Sequence, residues 1–142
     1  MTKFVLDDFL PYQLAILAAR VSREFSTLYK AKFGITIPEW RVVAHLSQAE
    51  RPLSVREIFE RVDMDKSKVS RAASRLEAAG YIEKSVNPDD RRLVELRLTG
   101  QGRRMIAELE PLARKFETEV LDRLGPDATR FRASLEALIT RT

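Results

Sequence analysis

Lys66, Ser67, Lys68, Ser70, Arg71, Ser74 and Arg75 set short hydroxyls and long cations side by side in one short stretch. At 3.6 residues per turn Ser67, Ser70, Arg71, Ser74 and Arg75 share one side of a helix, with Lys66 and Lys68 at its edges. Small hydroxyls let a helix approach another surface closely, while the arginines reach past them. Arginine pairs with guanine edges, and serine reads several bases or phosphates, so the set suits a DNA major groove. A solvated helix face has the same composition, and the helix alone does not separate the two readings. Asn87-Pro88-Asp89-Asp90-Arg91-Arg92 shifts the balance: it is strong turn chemistry with adjacent arginines at its tip. A basic hairpin tip directly after such a helix would bring Asp90, Arg91 and Arg92 to phosphates or to a minor groove beside the helix.

Several elements must position these groups. Asp65 is placed to cap the helix, and Gly80 stands where a helix end commonly needs a left-handed residue. Val69, Ala72, Ala73, Leu76 and Ala79 recur at the helical period and form its apolar stripe. After Gly80 the period changes. Tyr81, Ile82 and Val86 suit one strand, and Val94, Leu96 and Leu98 alternate with Glu95 and Arg97 in a second. Upstream, Ser54-Val55-Arg56-Glu57 has capping-box spacing and opens a short helix with Val55, Ile58, Phe59 and Val62 on its apolar side. Ser54 and Arg56, at that helix start, join the candidate DNA contacts. A tight Asp63–Asp65 connection links the two helices into a helix–turn–helix. Pro52 and Leu53 are placed to add a short third strand against the hairpin.

The flanks are helical. Leu10, Leu14, Leu17, Val21, Phe25 and Leu28 keep a three–four spacing as far as Phe33, with Asp7 and Asp8 before them and Pro11 early enough for a first turn. Gly34 ends this pattern, and Thr36-Ile37-Pro38-Glu39 is a second capping box. It opens a helix with Trp40, Val43, Ala44 and Ser47 along one side, adjoined by Val42 and Leu46. Thr99 is a cap for a further helix carrying Met105, Leu109, Leu112, Phe116, Val120 and Leu124, which Pro111 should bend. Gly125-Pro126 stops it, and Phe131, Leu135, Leu138 and Ile139 mark the buried side of a last helix. The fold expected is mainly α with a small β-wing. Residues 1–142 form a single domain, with a winged helix–turn–helix at 35–99 and helical dimerisation regions at 8–33 and 100–140. The long helices carry more apolar surface than a winged module of this size can cover, so a homodimer is expected.

Composition narrows the chemistry. The chain of 142 residues has a formal charge of +4, 32% charged and 8% aromatic residues, no cysteine and one histidine. Thiolate sites and disulfides are excluded, and a histidine metal cluster or catalytic triad is implausible. No metal and no cofactor are expected. Neither a signal peptide nor an apolar run of membrane-spanning length is present, so a cytoplasmic protein without membrane contact is expected.

Together the stretches Gly34-Ile35-Thr36-Ile37-Pro38-Glu39-Trp40, Asp65-Lys66-Ser67-Lys68-Val69-Ser70-Arg71, Arg75-Leu76-Glu77 with Gly80-Tyr81-Ile82, and Asn87-Pro88-Asp89-Asp90-Arg91-Arg92 leading to Leu98-Thr99-Gly100-Gln101-Gly102 resemble the MarR family (multiple antibiotic resistance regulators) over nearly the whole chain. The resemblance implies a homodimer on a pseudo-palindromic operator, a transcriptional regulator acting as a repressor until a small molecule binds. It matches Ser67, Lys68, Ser70, Arg71 and Arg75 to major-groove positions. Asp90 and Arg92 match the wing pair, in which the carboxylate orients the arginine into a minor groove. The family's cysteine and zinc sensors have no counterpart here, which leaves a small organic effector, an aromatic acid or phenol, or none. Tyr12, Trp40 and His45 are candidate lining residues for it, and each also reads as a core or surface side chain.

Two other classes remain to be set against double-stranded DNA. A winged-helix protein–protein module shares the fold but usually lacks arginines at both helix and wing. A small enzyme is disfavoured by the single histidine, the lack of cysteine, and the lack of a glycine-rich phosphate loop or a close carboxylate pair on a shared buried face.

Overall fold

The computed structural model describes residues 3–142. A 3-10 turn at Leu6–Asp8 leads into α1 (Leu10–Phe33), followed by α2 (Ile37–Gln48), β1 (Leu53–Ser54), α3 (Val55–Arg61) and α4 (Lys66–Ala78). The hairpin strands β2 (Ile82–Val86) and β3 (Val94–Leu98) come next, then α5 (Gly100–Asp122), a 3-10 turn at Gly125–Asp127 and α6 (Ala128–Arg141). This is the expected helical architecture with a small wing. The short third strand is also present.

Helix boundaries follow the local chemistry. Phe9 occupies the N-cap of α1 without a side-chain hydrogen bond, Pro11 lies in the first turn, and Gly34 closes the helix at φ 69°. Both capping boxes form, Thr36 with Glu39 and Ser54 with Glu57. At the end of α4, Tyr81 N donates to Leu76 O and Gly80 N to Glu77 O, the paired bonds that finish a helix through a left-handed residue. Gly80 has φ 87°. Ala79, expected in the apolar stripe, is instead the exposed C-cap, because the helix stops one residue before it.

The sheet is antiparallel in the order β1-β3-β2, with Leu53 opposite Leu96 and Ile82 opposite Leu98. Its β2 strand packs on α4 and its β3 strand on α2 and α3, and Ile82 and Leu96 are buried with Leu53, Ile58, Val69, Ala72, Ala73 and Leu76. Val42, Val43 and Leu46 extend this core into α2. Phe25, Tyr29 and Trp40 close it with ring centroids 5.2–5.5 Å apart. Burial pushes the Tyr29 hydroxyl up to about 12, with Arg41 pulling weakly the other way.

The start of α5 is locked onto the end of α4. Thr99 Oγ1 donates to Gly80 O at 2.6 Å and accepts from Gly102 N at 3.1 Å, so Thr99 caps α5 as expected. A side chain at Gly102 would meet Tyr81 O at 2.2 Å, so only glycine allows this approach. The helix continues unbroken through Pro111. By contacts the chain divides into two compact units, one ending at Leu109 and one running from Glu110 to Thr142. In the second unit Phe131, Leu135, Leu138 and Ile139 all stay exposed, and α6 buries none of its residues.

Candidate nucleic-acid interface

The α3 N-terminus is a rigid corner. Ser54 Oγ accepts from Glu57 N at 3.0 Å, and Glu57 Oε1 accepts from Ser54 N at 3.3 Å. Arg51 grips the same carboxylate through two bonds, at 3.1 and 2.6 Å. These hydrogen bonds, from Arg51 first and the Ser54 backbone next, pull the Glu57 carboxyl down to about 2 against the opposing effect of burial. On α4, Asp65 Oδ1 accepts from Lys68 N at 2.8 Å and fixes where the helix begins. Burial of Val69, Ala72, Ala73 and Leu76 then turns Lys66, Ser67, Lys68, Arg71, Ser74 and Arg75 outward, with Ser70 half-buried at the edge.

The wing tip is ordered by its own side chains. Asn87 Oδ1 accepts from Asp89 N at 2.8 Å and from Asp90 N at 3.1 Å. Asp90 in turn receives Arg92 Nε and Arg92 Nη2, each at 3.0 Å, and Arg92 N at 3.1 Å. Arg92 therefore sits on a fork-to-carboxylate bond while its side chain remains 90% exposed. That bond holds the Asp90 carboxyl below its usual range, with a smaller through-space contribution from Arg56, and raises the Arg92 guanidinium.

One groove of about 510 Å³ joins the three elements, lined by Ser54, Arg56, Lys66, Ser70, Asp90 and Arg92 around an apolar floor of Val55, Phe59, Leu93 and Val94. Six of the sequence candidates thus meet in one place. Ser67, Lys68, Arg71 and Arg75 stand exposed on α4 outside that groove. Arg91 lines a separate depression with Val86, Asn87 and Pro88, so the two tip arginines are not equivalent. Ser74 is engaged by Lys84 Nζ at 2.9 Å. Sequence reasoning missed Lys84. Its place between Ile82 and Val86 on one face of β2 was the available signal. Glu95, which accepts from Asn87 Nδ2 at 2.6 Å, was read only as a strand residue alternating with Val94, Leu96 and Leu98.

The ligand candidates occupy different surroundings. Trp40 stacks on Tyr29 and meets Phe25 edge-on. His45 Nδ1 lies 2.8 Å from Arg41 O in a half-buried helical position. Tyr12 lines a shallow depression of about 280 Å³ with Asp7, Gln13, Ile16, Leu17 and Arg20, which neither Trp40 nor His45 reaches. Among the described residues no group of acidic or histidine side chains could hold a metal ion, and no helix is long and apolar enough to cross a membrane.

A helix–turn–helix followed by a β2–β3 hairpin, with a short strand from before α3 paired on it, defines a winged helix–turn–helix protein. Residues 33–93 match the model of the MarR family. The regulator BilQ of Clostridioides difficile is 33% identical over 70 residues, 49% of this chain and 47% of that protein. The chain thus spans about half the length of that relative. A MarR/EmrR family transcriptional regulator from Acinetobacter sp. ADP1 has the same fold at TM-score 0.80, with 29% identity and 97% of both chains covered. The PcaV transcriptional regulator of Streptomyces coelicolor, solved with its natural ligand, gives TM-score 0.74 at 26% identity, covering 100% of this chain and 99% of its own. Over its winged unit the chain is thus similar to the MarR family, and over nearly its whole length to a solved regulator of that family.

Proposed function

We propose that the protein is a sequence-specific DNA-binding transcriptional regulator that acts as a homodimer on a pseudo-palindromic operator. The carrying observation is the shared groove, in which the α4 edge, the α3 corner and the Asp90–Arg92 pair face one another. A helix seated in a major groove would present Ser67, Ser70, Arg71, Ser74 and Arg75 to base edges. Arg92 would enter the adjoining minor groove, whose narrow A·T-rich form concentrates negative potential. Ser54, Arg56, Lys66, Lys68 and Arg91 supply phosphate contacts, which position without reading sequence. The exposed stripe of α6 and the exposed Leu10, Leu14 and Leu17 of α1 support a dimer, since such faces are covered in obligate assemblies.

Repression is the simpler mode, because operator occupancy alone blocks transcription, whereas activation needs a further contact with polymerase. The effector we infer is a small organic acid or phenol: the lack of cysteine and the single histidine speak against a thiol or zinc sensor, and the similar regulator PcaV binds a natural ligand. Tyr12, Trp40 and His45 remain its candidate contacts. A thermal-shift screen against aromatic acids and phenols tests this part separately.

Fluorescence anisotropy on a duplex enriched by selection from genomic fragments, against a scrambled duplex, tests the main reading. Affinity for the selected duplex should exceed that for the scrambled one by on the order of 10³. Both should fall steeply between about 50 and 200 mM salt. Equal affinities, or no salt dependence, would favour a protein–protein module.

A further inference from the structure

Arg92 lies near the end of the seven-residue connection between β2 and β3, residues 87–93, and a guanidinium there recognises a groove only if the loop beneath it has one shape. Asp90 fixes the guanidinium, but Asp90 must itself be fixed. Its peptide N–H donates to Asn87 Oδ1, as does the N–H of Asp89. Peptide N–H groups only donate, so the Asn87 amide has a single workable orientation, oxygen toward the loop and nitrogen away from it. Asn87 Nδ2 is then obliged to donate, and it meets Glu95 Oε1 at 2.6 Å.

Glu95 has firm ground under it. It lies in the central strand, opposite Ser85 on β2 and Ser54 on β1, next to the fully buried Leu96. Arg51, whose guanidinium is favoured chiefly by its hydrogen bond to Glu57, also feels the Glu95 charge through space. We propose that Glu95 and Asn87 are positioning residues for DNA recognition, a hydrogen-bonded relay from Glu95 through Asn87 and Asp90 that carries the register of β3 to the Arg92 guanidinium. The proposal rests on the reading of Arg92 as a DNA contact. Turn chemistry alone does not require it, because an Asx turn forms equally well on Asn or Asp.

That equivalence supplies the test. Asn87→Asp keeps the acceptor for both peptide N–H groups and changes only the group facing Glu95, from a donor to a second carboxylate. Glu95→Gln keeps an acceptor for Asn87. In the double variant Asn87→Asp/Glu95→Gln the glutamine amide can donate to the new carboxylate, restoring the bond with its direction reversed. On the selected duplex Asn87→Asp should lose about tenfold in affinity, as for one positioned hydrogen bond. Glu95→Ala, which leaves Asn87 Nδ2 without its acceptor, should lose a comparable amount, and the double variant Asn87→Asp/Glu95→Gln should recover most of the loss of Asn87→Asp. The Arg92 Nε–Hε resonance of the free full-length protein should be a single sharp peak in the parent, broaden in Asn87→Asp, and sharpen again in the double variant.

Unchanged binding by Asn87→Asp, or a double variant no better than Asn87→Asp, overturns the relay. Arg92→Ala separates the two levels. If it binds as well as the parent, the reading of Arg92 falls, and a resonance that does not respond to Asn87→Asp would remove the relay as well. If Arg92→Ala weakens binding while Asn87→Asp does not, Arg92 stands as a contact and the relay is wrong.

Discussion

Leu76 on α4 is 1% exposed, whereas Leu135, on an equally periodic stripe of α6, is 38% exposed. The contrast holds along both helices: α4 buries Val69, Ala72, Ala73 and Leu76, and α6 buries nothing. Periodicity says which side of a helix seeks cover. It does not say what provides the cover. In the winged unit α2, α3 and the sheet provide it, over a core that includes Val42, Val43, Ile58, Ile82 and Leu96. The unit from Glu110 to Thr142 has no such internal core, and the proposed second copy supplies what is missing. The winged unit carries its own core, and in the proposed dimer a second copy would cover the C-terminal unit.

The sharpest way to break this contrast is to put a charge on the α6 stripe. Leu138→Asp would have to bury a carboxylate in the proposed dimer contact, costing on the order of 3–5 kcal/mol. Sedimentation at low micromolar concentration should show the dimer lost, and operator binding with it. A dimer of unchanged affinity would mean that the stripe is simply solvated. Leu76→Ala tests the other side. It should cost about 2–5 kcal/mol in thermal or urea unfolding, from lost burial and the cavity left behind. Leu135→Ala should act mainly by making the thermal midpoint depend more strongly on protein concentration.

On α4 the expected effects are smaller and separable. Arg71→Ala should lose about 1–3 kcal/mol on the operator and relax base preference at one position. Lys66→Ala should weaken all duplexes about equally. Equal losses on operator and random DNA for Arg71→Ala would move that residue to the phosphate-binding set.

The smallest effect lies at the α3 corner. Glu57 has its carboxyl pulled from 4.5 down to about 2, so the fold prefers the ionised form. Its contribution is complete above about pH 4.5 and is lost as pH falls toward 2. Thermal midpoints measured across that range should fall more steeply for the parent than for Glu57→Gln. Parallel curves would show that the Arg51–Glu57 bond adds nothing to stability.

Much of this was legible because it is local. Capping boxes, the Gly80 stop and the Asn87-Pro88 turn depend on neighbours within a few residues, and all of them form. The Asp90–Arg92 bond spans two residues and could be read the same way. Lys84 meets Ser74 ten residues away, and Glu95 meets Asn87 eight residues away. Those pairs depend on strand register and on packing of β2 against α4, which no local pattern encodes. Ala79 was misplaced for a different reason: the helical period continues in sequence to a residue that is already the exposed C-cap, one position past the end of α4 and just before the left-handed Gly80.

Hydroxyl-radical footprinting of the full-length protein on its selected operator tests the central claim most directly. Two protected windows related by two-fold symmetry should appear, centred about one helical turn apart or a multiple of it. Each should be flanked by a minor-groove protection that disappears in Arg92→Ala while the central windows persist. A single asymmetric window, or a footprint identical in the parent, Arg71→Ala and Arg92→Ala, would contradict the assignment of helix and wing to adjacent grooves.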